Sequence, residues 1–193
     1  MKKLVFATHN KNKLKEVQNL LPQYDIVDLD AIGCHEEIIE DGATLEENAL
    51  IKARYVRDHY KLSCFADDTG LEVDSLSGAP GVYSARYAGT HGDSEKNMNK
   101  LLGALKNKDN RKAQFRTVIA LSTDSGELLF EGICPGSITE EKKGNDGFGY
   151  DPIFKAQGFD VTFAEMDLES KGKISHRGLA IEKLIHYLSK KDD

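Results

Sequence analysis

Short apolar runs alternate with amphipathic helical stripes along most of this chain, and that alternation restricts the fold more than any other feature. Lys3 to Ala7 reads as a short buried strand and Thr8 to Lys13 as a polar loop. A helix follows from about Asn12, with Leu14, Val17 and Leu21 at helical spacing, and Pro22 stops it. Asp25 to Leu29 predicts a second short strand. The clearest helix is Thr44 to His59, where Thr44-Leu-Glu-Glu47 fits a capping box and Ala49, Ala53, Val56 and Tyr60 make one apolar stripe. Ser63 to Ala66 is a short apolar run ending in two aspartates, and Leu71 to Val73 can pair as a strand. Ser77 to Gly92 reads as a loop. Met98, Leu101, Leu102 and Leu105 form the buried face of a helix capped by Asp93 or Ser94. Phe115 to Ser122 and Leu128 to Ile133 read as strands joined by a turn at Asp124-Ser-Gly126. Gly144 to Asp151 is a glycine-rich loop, and Ser175 is placed to cap a last helix bearing Ala180, Leu184 and Leu188. Interleaved helices and strands with one hairpin predict an α/β fold with a mixed sheet.

The chain has 193 residues, enough for one domain, or one domain with two lobes, around a core that needs no staples. Its net charge of −6 gives no positive field to gather nucleic acid. Cys34, Cys64 and Cys134 are odd in number and contain no CxxC pair, which excludes a fully paired disulfide framework and a compact thiolate zinc site. The N-terminus lacks the apolar run of a signal peptide, and no stretch approaches the ~20 apolar residues that span a bilayer. A cytoplasmic protein without a membrane partner is expected.

Four segments carry candidate chemistry. Asp67-Asp68, after an apolar run, would sit at the carboxyl end of a strand, where open α/β sheets bind ligands. With Glu40, one of the two aspartates could hold a divalent cation such as Mg²⁺, phosphate oxygens completing its shell. The same Asp67-Asp68-Thr69-Gly70 also fits a plain turn. Thr8-His-Asn-Lys-Asn-Lys13 lies between a strand and a helix, a place that suits a phosphate. Lys52 shares a helix face with Asn48 and Tyr55, where it could reach the same anion or simply snorkel. Gly144 to Pro152 includes Phe148, which could stack on a base, but matches neither the P-loop nor GxGxxG. His176 and Arg177 stand at a predicted helix N-terminus, where the dipole disfavours cations. A bland reading exists for each: surface lysines, a turn with packed aromatics, exposed capping side chains.

Together these segments resemble the inosine/xanthosine triphosphate pyrophosphatases, the non-canonical purine nucleoside triphosphate pyrophosphatase family. The resemblance is carried by Ala7-Thr-His-Asn-Lys-Asn-Lys13, Glu40-Asp-Gly-Ala-Thr44, Glu47-Asn-Ala49, Lys52-Ala-Arg54, Ala66-Asp-Asp-Thr-Gly-Leu71, the stretch from Gly78 to Gly89, Phe148-Gly-Tyr-Asp-Pro152 and Ile174-Ser-His-Arg-Gly178, in the family's order. It implies a Mg²⁺-dependent enzyme that cleaves ITP, dITP or XTP to monophosphate and pyrophosphate. It implies a homodimer of chains that each form a single domain, residues 1–193, with helices flanking a mixed sheet and an active-site cleft between two lobes.

By the same resemblance Thr8, His9, Asn10, Lys11, Asn12, Lys13 and Lys52 would bind the triphosphate. Glu40 and Asp68 would hold the metal, with Asp68 also the proton acceptor for water. Thr69 would touch the substrate, and Phe148, Gly149, Tyr150, Asp151, Lys171, His176 and Arg177 would hold the nucleoside end. His9 is a departure, since many relatives carry Gly there, and Lys173 falls outside the matching offset. An oxo group at C6 would accept hydrogen bonds from Arg177 or His176, whereas the 6-amino group of adenine would leave donors facing a donor. Rival readings are a pyrophosphatase for pyrimidine or other modified nucleotides, a nucleotide-sensing module without catalysis, and a metal-dependent nuclease. Glu40 and Asp68 together argue against the sensor, and the net charge against the nuclease.

Overall fold

The computed structural model describes residues 2–190, which form seven strands and five α-helices. In chain order these are β1 (Lys2–Phe6), α1 (Lys11–Leu20), β2 (Tyr24–Val27), α2 (Leu45–Tyr60), β3 (Cys64–Val73), β4 (Pro80–Gly81), α3 (Ser94–Ala104), β5 (Lys112–Thr123), β6 (Gly126–Ile138), β7 (Phe154–Ala156), α4 (Leu168–Ile174) and α5 (His176–Ser189). The sheet order is β2-β1-β3-β5-β6-β7, with β4 on β3. β1 runs parallel to β2 and β3, while β4 on β3 and β7 on β6 are antiparallel. The α/β class with a mixed sheet flanked by helices is therefore as expected.

The chain gathers into two compact units built from interleaved segments. The first holds the chain up to Asp68, Thr117–Gly132 and everything from Arg177; the second holds Thr69–Arg116 and Ile133–His176. Each has its own core. In the first, Leu4, Phe6, Val17, Leu21, Ile26, Phe65, Ile119, Leu121, Ala180, Ile181 and Leu184 are buried together, and the Phe6 and Phe65 rings stack at 4.6 Å. In the second, Leu71, Val73, Leu101, Leu105, Phe115, Tyr150, Phe154 and Phe163 form the core, with Phe115 edge-on to Phe154 at 4.6 Å.

Local signals account for the helix starts. Asn10 caps α1, accepting from the amides of Asn12 and Lys13, and Asp93 caps α3. Thr44 caps α2 by accepting from Glu47 N–H, but the reciprocal Glu47 carboxylate takes the Ala43 amide. Two expectations need correction, and one helix was not anticipated. β3 is one continuous strand, so Asp67 and Asp68 lie inside it and not at its end. Residues 77–92, expected as a loop, include β4 and a short 3₁₀ turn at Ser84–Arg86. Ser175 stands immediately before α5, where the cap of the last helix was expected, and it also closes α4, a helix the sequence did not suggest. All three cysteines are free and buried, as expected.

Gly136 shows how tightly β6 and β7 approach. It pairs with Ala156, and a methyl group there would meet the Lys155 carbonyl oxygen at 2.3 Å and the Phe154 ring at 2.6 Å. Gly136→Ala is expected to destabilise the protein by about 1–3 kcal/mol, as overpacking does. The change in urea midpoint measures it, and an unchanged midpoint would refute the close approach.

Candidate functional site

The first unit collects most of the charged residues singled out in the sequence. Lys13, on the first turn of α1, sends its ammonium 2.8 Å to Asp67 Oδ1. Arg177, at the start of α5, donates from Nε to Asp67 Oδ2 at 3.0 Å and from NH1 to Glu16 at 2.5 Å. Asp67 and Arg177 are 1% and 2% exposed. A buried carboxylate is costly unless cations and donors replace its water, and here both oxygens face cations. Burial pushes the Asp67 carboxyl upward, but Lys13, Arg177 and Lys52 outweigh it and hold it well below the usual carboxylate range. Either aspartate could have been the metal ligand on sequence grounds. The geometry commits Asp67 to holding Lys13 and Arg177.

Its neighbour differs. Asp68 accepts from the Asn48 side-chain amide at 3.0 Å, a neutral donor on α2. Burial raises its carboxyl; Lys52 and Lys13 pull it down, Glu40 pushes it back up, and the net direction is upward. Such a carboxylate is better suited to accept a proton near neutral pH than an unperturbed one. Lys52, 7% exposed, donates to Glu40 Oε2 at 2.7 Å. Burial opposes its charge, yet Asp68, Glu40 and Asp67 together raise its pKa, so it stays protonated. Lys13, Lys52 and Arg177 thus meet Asp67, Glu40 and Glu16, while Asp68 adds a fourth carboxylate to three cations. A divalent cation fits that surplus, and Glu40 and Asp68 supply the hard oxygens it prefers. Among the described residues no cluster of three or more His, Cys, Asp and Glu could hold a metal alone, so a cation here would need oxygens from a substrate or water.

The loop from Thr8 to Lys13 behaves less simply. Thr8 Oγ1 accepts the Asn10 amide, and Asn10 Oδ1 accepts those of Asn12 and Lys13, so the loop caps itself. Lys11 turns to Asp28 and Asp30, at 2.5 Å each. His9 Nε2 lies 3.1 Å from the Glu36 carbonyl oxygen and Nδ1 lies 3.4 Å from Asp30. Lys13 and Lys52 are brought into the carboxylate cluster; Lys11 and His9 are held beside it by other partners.

The second unit holds another group. Asp151 accepts the Phe148 amide at 2.8 Å and the Lys171 ammonium at 2.6 Å, and both ionised side chains are buried. The Lys171 ammonium also lies 5.1 Å from the Phe148 ring centroid. Gly147 is required here: at φ +75° its missing Cβ would stand 2.2 Å from Asp151 Oδ2. Tyr150 donates to the Ser84 carbonyl oxygen, and Gly149 carries a positive φ of 65°. His176 stacks on Phe115 at 4.4 Å. Thr69 follows Asp68 in β3 and is half-buried. Lys173 is exposed and pairs with Glu169.

Residues 4–187 match the Ham1 family over nearly the whole described chain. The chain belongs to the Ham1 family. A protein named dITP/XTP pyrophosphatase from Christiangramia forsetii is 59% identical over 97% of this chain and 100% of its own. One of the same name from Flavobacterium johnsoniae is 55% identical over 97% of this chain and 98% of its own. The solved Ham1 protein of Staphylococcus aureus superimposes with a TM-score of 0.88 at 40% identity, covering 98% of this chain and 100% of that one.

Sequence reasoning missed Glu16, and it placed Asn48 beside Lys52 on one helix face without giving it a role. Glu16 follows Lys13 by three positions, a spacing that reads as an ordinary solvated pair until α5 covers it.

Asp67→Asn should destabilise the first unit by about 3–5 kcal/mol, because buried Arg177 and half-buried Lys13 lose their charged partner. The Asp67 pKa is depressed in the folded state, so its stabilisation is present above the ordinary value of 3.8 and is lost as pH falls below it. Urea midpoints from pH 7 to acid should therefore drop steeply in the wild type and more shallowly in Asp67→Asn. Parallel acid limbs would overturn the assignment.

Proposed function

We propose that this chain is a Mg²⁺-dependent pyrophosphatase acting on non-canonical purine nucleoside triphosphates, ITP, dITP and XTP, releasing monophosphate and pyrophosphate. The observation that carries the proposal is the contrast between neighbours in β3: Asp67 is buried and clamped between cations, whereas Asp68 is half-buried, raised and faces Glu40 and Lys52. The names of the 59% and 55% identical relatives support it.

In this reading Glu40 and Asp68 hold the divalent cation, which when bound offsets phosphate charge. Asp68 accepts the proton of the attacking water. Lys13 and Lys52, already oriented by Asp67 and Glu40, place positive charge against the phosphates without reorganising. Thr8 to Lys13 contributes polar atoms at the start of α1, with Lys11 and His9 held aside by Asp28, Asp30 and Glu36. Thr69 contacts the substrate next to Asp68. Phe148, Gly149, Tyr150, Asp151, Lys171 and His176 are assigned to the nucleoside, Phe148 by stacking and Lys171 by fixing Asp151 and hence the loop. Arg177 is assigned to O6 of the base, in addition to its hold on Asp67 and Glu16. A cytoplasmic location and a homodimer complete the proposal. Three free, buried cysteines fit a reducing compartment, and among the described residues no helix is long and apolar enough to cross a membrane.

Asp68→Asn is expected to abolish nearly all turnover while the melting curve stays normal, in a pyrophosphate-release assay with ITP and Mg²⁺. Substantial turnover would remove Asp68 as the base, and diphosphate plus orthophosphate as products would overturn the choice of bond. For base selection, Arg177→Lys keeps the charge but not the planar donor fork. It should narrow the ratio of kcat/KM for ITP over ATP by roughly 5- to 150-fold, the worth of one bidentate contact. Equal losses on both substrates would limit Arg177 to holding Asp67 and Glu16.

A further inference from the structure

Residues 33–44 form no regular structure, yet they run as a strap along one face of α2. Gly42 N–H donates to Asn48 Oδ1 at 2.9 Å, Glu40 pairs with Lys52 at 2.7 Å, and Glu36 Oε1 accepts from Tyr55 at 2.8 Å and from Tyr60 at 3.0 Å. As the strap descends from Gly42 to Glu36, its partners climb the helix from Asn48 to Tyr60. Asn48, Lys52 and Tyr55 fall on one face at the 3.6-residue period, and Tyr60, from the adjoining stripe in the last turn, reaches the same Glu36 carboxylate, so α2 sets the spacing of the strap. Buried Cys34 and Ile38 are its apolar footholds, while Ile39, next to Glu40, is 75% exposed. Glu36 also ties the strap to the Thr8–Lys13 loop, because its carbonyl oxygen lies 3.1 Å from His9 Nε2. His9 stands where a glycine could make no such contact.

We propose that Glu36 is a positioning residue for Glu40. Its carboxylate fixes the strap to α2 through Tyr55 and Tyr60, and its carbonyl joins the strap to the loop at the start of α1 through His9. The Glu40 carboxylate is then held at its station on Lys52 from both sides, by Glu36 before it and by Gly42 and Ala43 after it. Without the Glu36 contacts the strap keeps Ile38 as a foothold and, before Glu36, buried Cys34, the hydrogen bonds of the Gly33 and Cys34 amides to Asp30 and Leu29 and the His35–Asp30 pair, so ordering residues 37–39 would weigh against cation binding. This inference rests on the reading of Glu40 as a cation ligand.

The test uses the full chain with Glu36→Gln and the Tyr55→Phe/Tyr60→Phe double variant, with Glu37→Gln as an exposed neighbouring control. Amide hydrogen exchange of residues 37–41, read without metal or nucleotide, should quicken roughly tenfold in both variants and not in the control, since local opening is governed by such contacts. The Mg²⁺ concentration for half-maximal turnover of ITP should rise about three- to tenfold with kcat at saturating Mg²⁺ unchanged, the pattern of weakened binding rather than weakened chemistry. Exchange at the wild-type rate overturns the proposal, as does faster exchange with an unchanged Mg²⁺ requirement or a matching fall in kcat. If the wild type turns over no nucleotide, the proposed function fails, and the exchange rates alone then decide whether Glu36 holds the strap.

Discussion

A carboxylate buried inside a β-strand is tolerable only where cations reach it, and Asp67 is such a carboxylate. Lys13 and Arg177 arrive from α1 and α5, 54 and 110 positions away in sequence. Replacing this cluster with apolar side chains would satisfy a core equally well, since buried ion pairs contribute little net stability over good packing. What the cluster supplies is placement. It brings a lysine to a fixed station beside Asp68 and leaves that second carboxylate in a different electrostatic setting from the first. Two adjacent aspartates thereby acquire opposite properties, one pinned in its charged form and the other raised toward proton exchange.

The legible parts of the fold were those written in local chemistry. Thr44 and Asp93 cap the helices they were expected to cap, and Ala49, Ala53 and Val56 are buried as their spacing required. Lys52, Asn48 and Tyr55 were placed on one face by helical period alone, and all three touch the strap or the carboxylates. The acidic tetrad was misplaced because Asp-Asp-Thr-Gly carries turn chemistry, and only distant cations and the sheet hold it extended. α4 escaped notice since Leu168-Glu-Ser-Lys-Gly-Lys-Ile174 is short, contains a glycine and shows no apolar stripe.

For the site, residue types were readable and partnerships were not. Lys13, Lys52, Glu40 and Asp68 were identified, but a sequence does not state which lysine meets which carboxylate. Lys11 and Lys13 are two positions apart and look equivalent, yet one faces Asp28 and Asp30 and the other Asp67. Two positions along a helix turn a side chain to a different side, so the pairing follows from helix geometry once the flanking strands are known. Arg177 shows the same limit, because its burial between Glu16 and Asp67 depends on residues at both ends of the chain.

The interleaving of the two units also bears on how the chain is made. Every segment of the second unit lies between Thr69 and His176, so its core is complete in the emerging polypeptide before α5 is synthesised. The first unit begins at the N-terminus but lacks Ala180, Ile181 and Leu184 of its core, and the arginine that neutralises Asp67, until the last helix leaves the ribosome. Its β1, β2 and half of β3 must wait through more than a hundred residues of translation with a charged strand and an uncovered apolar face. Contacts of such long sequence separation close slowly. Of the two units the first is thus the last to become native, and a nascent chain cut short before Arg177 holds an acidic strand with no arginine to receive it.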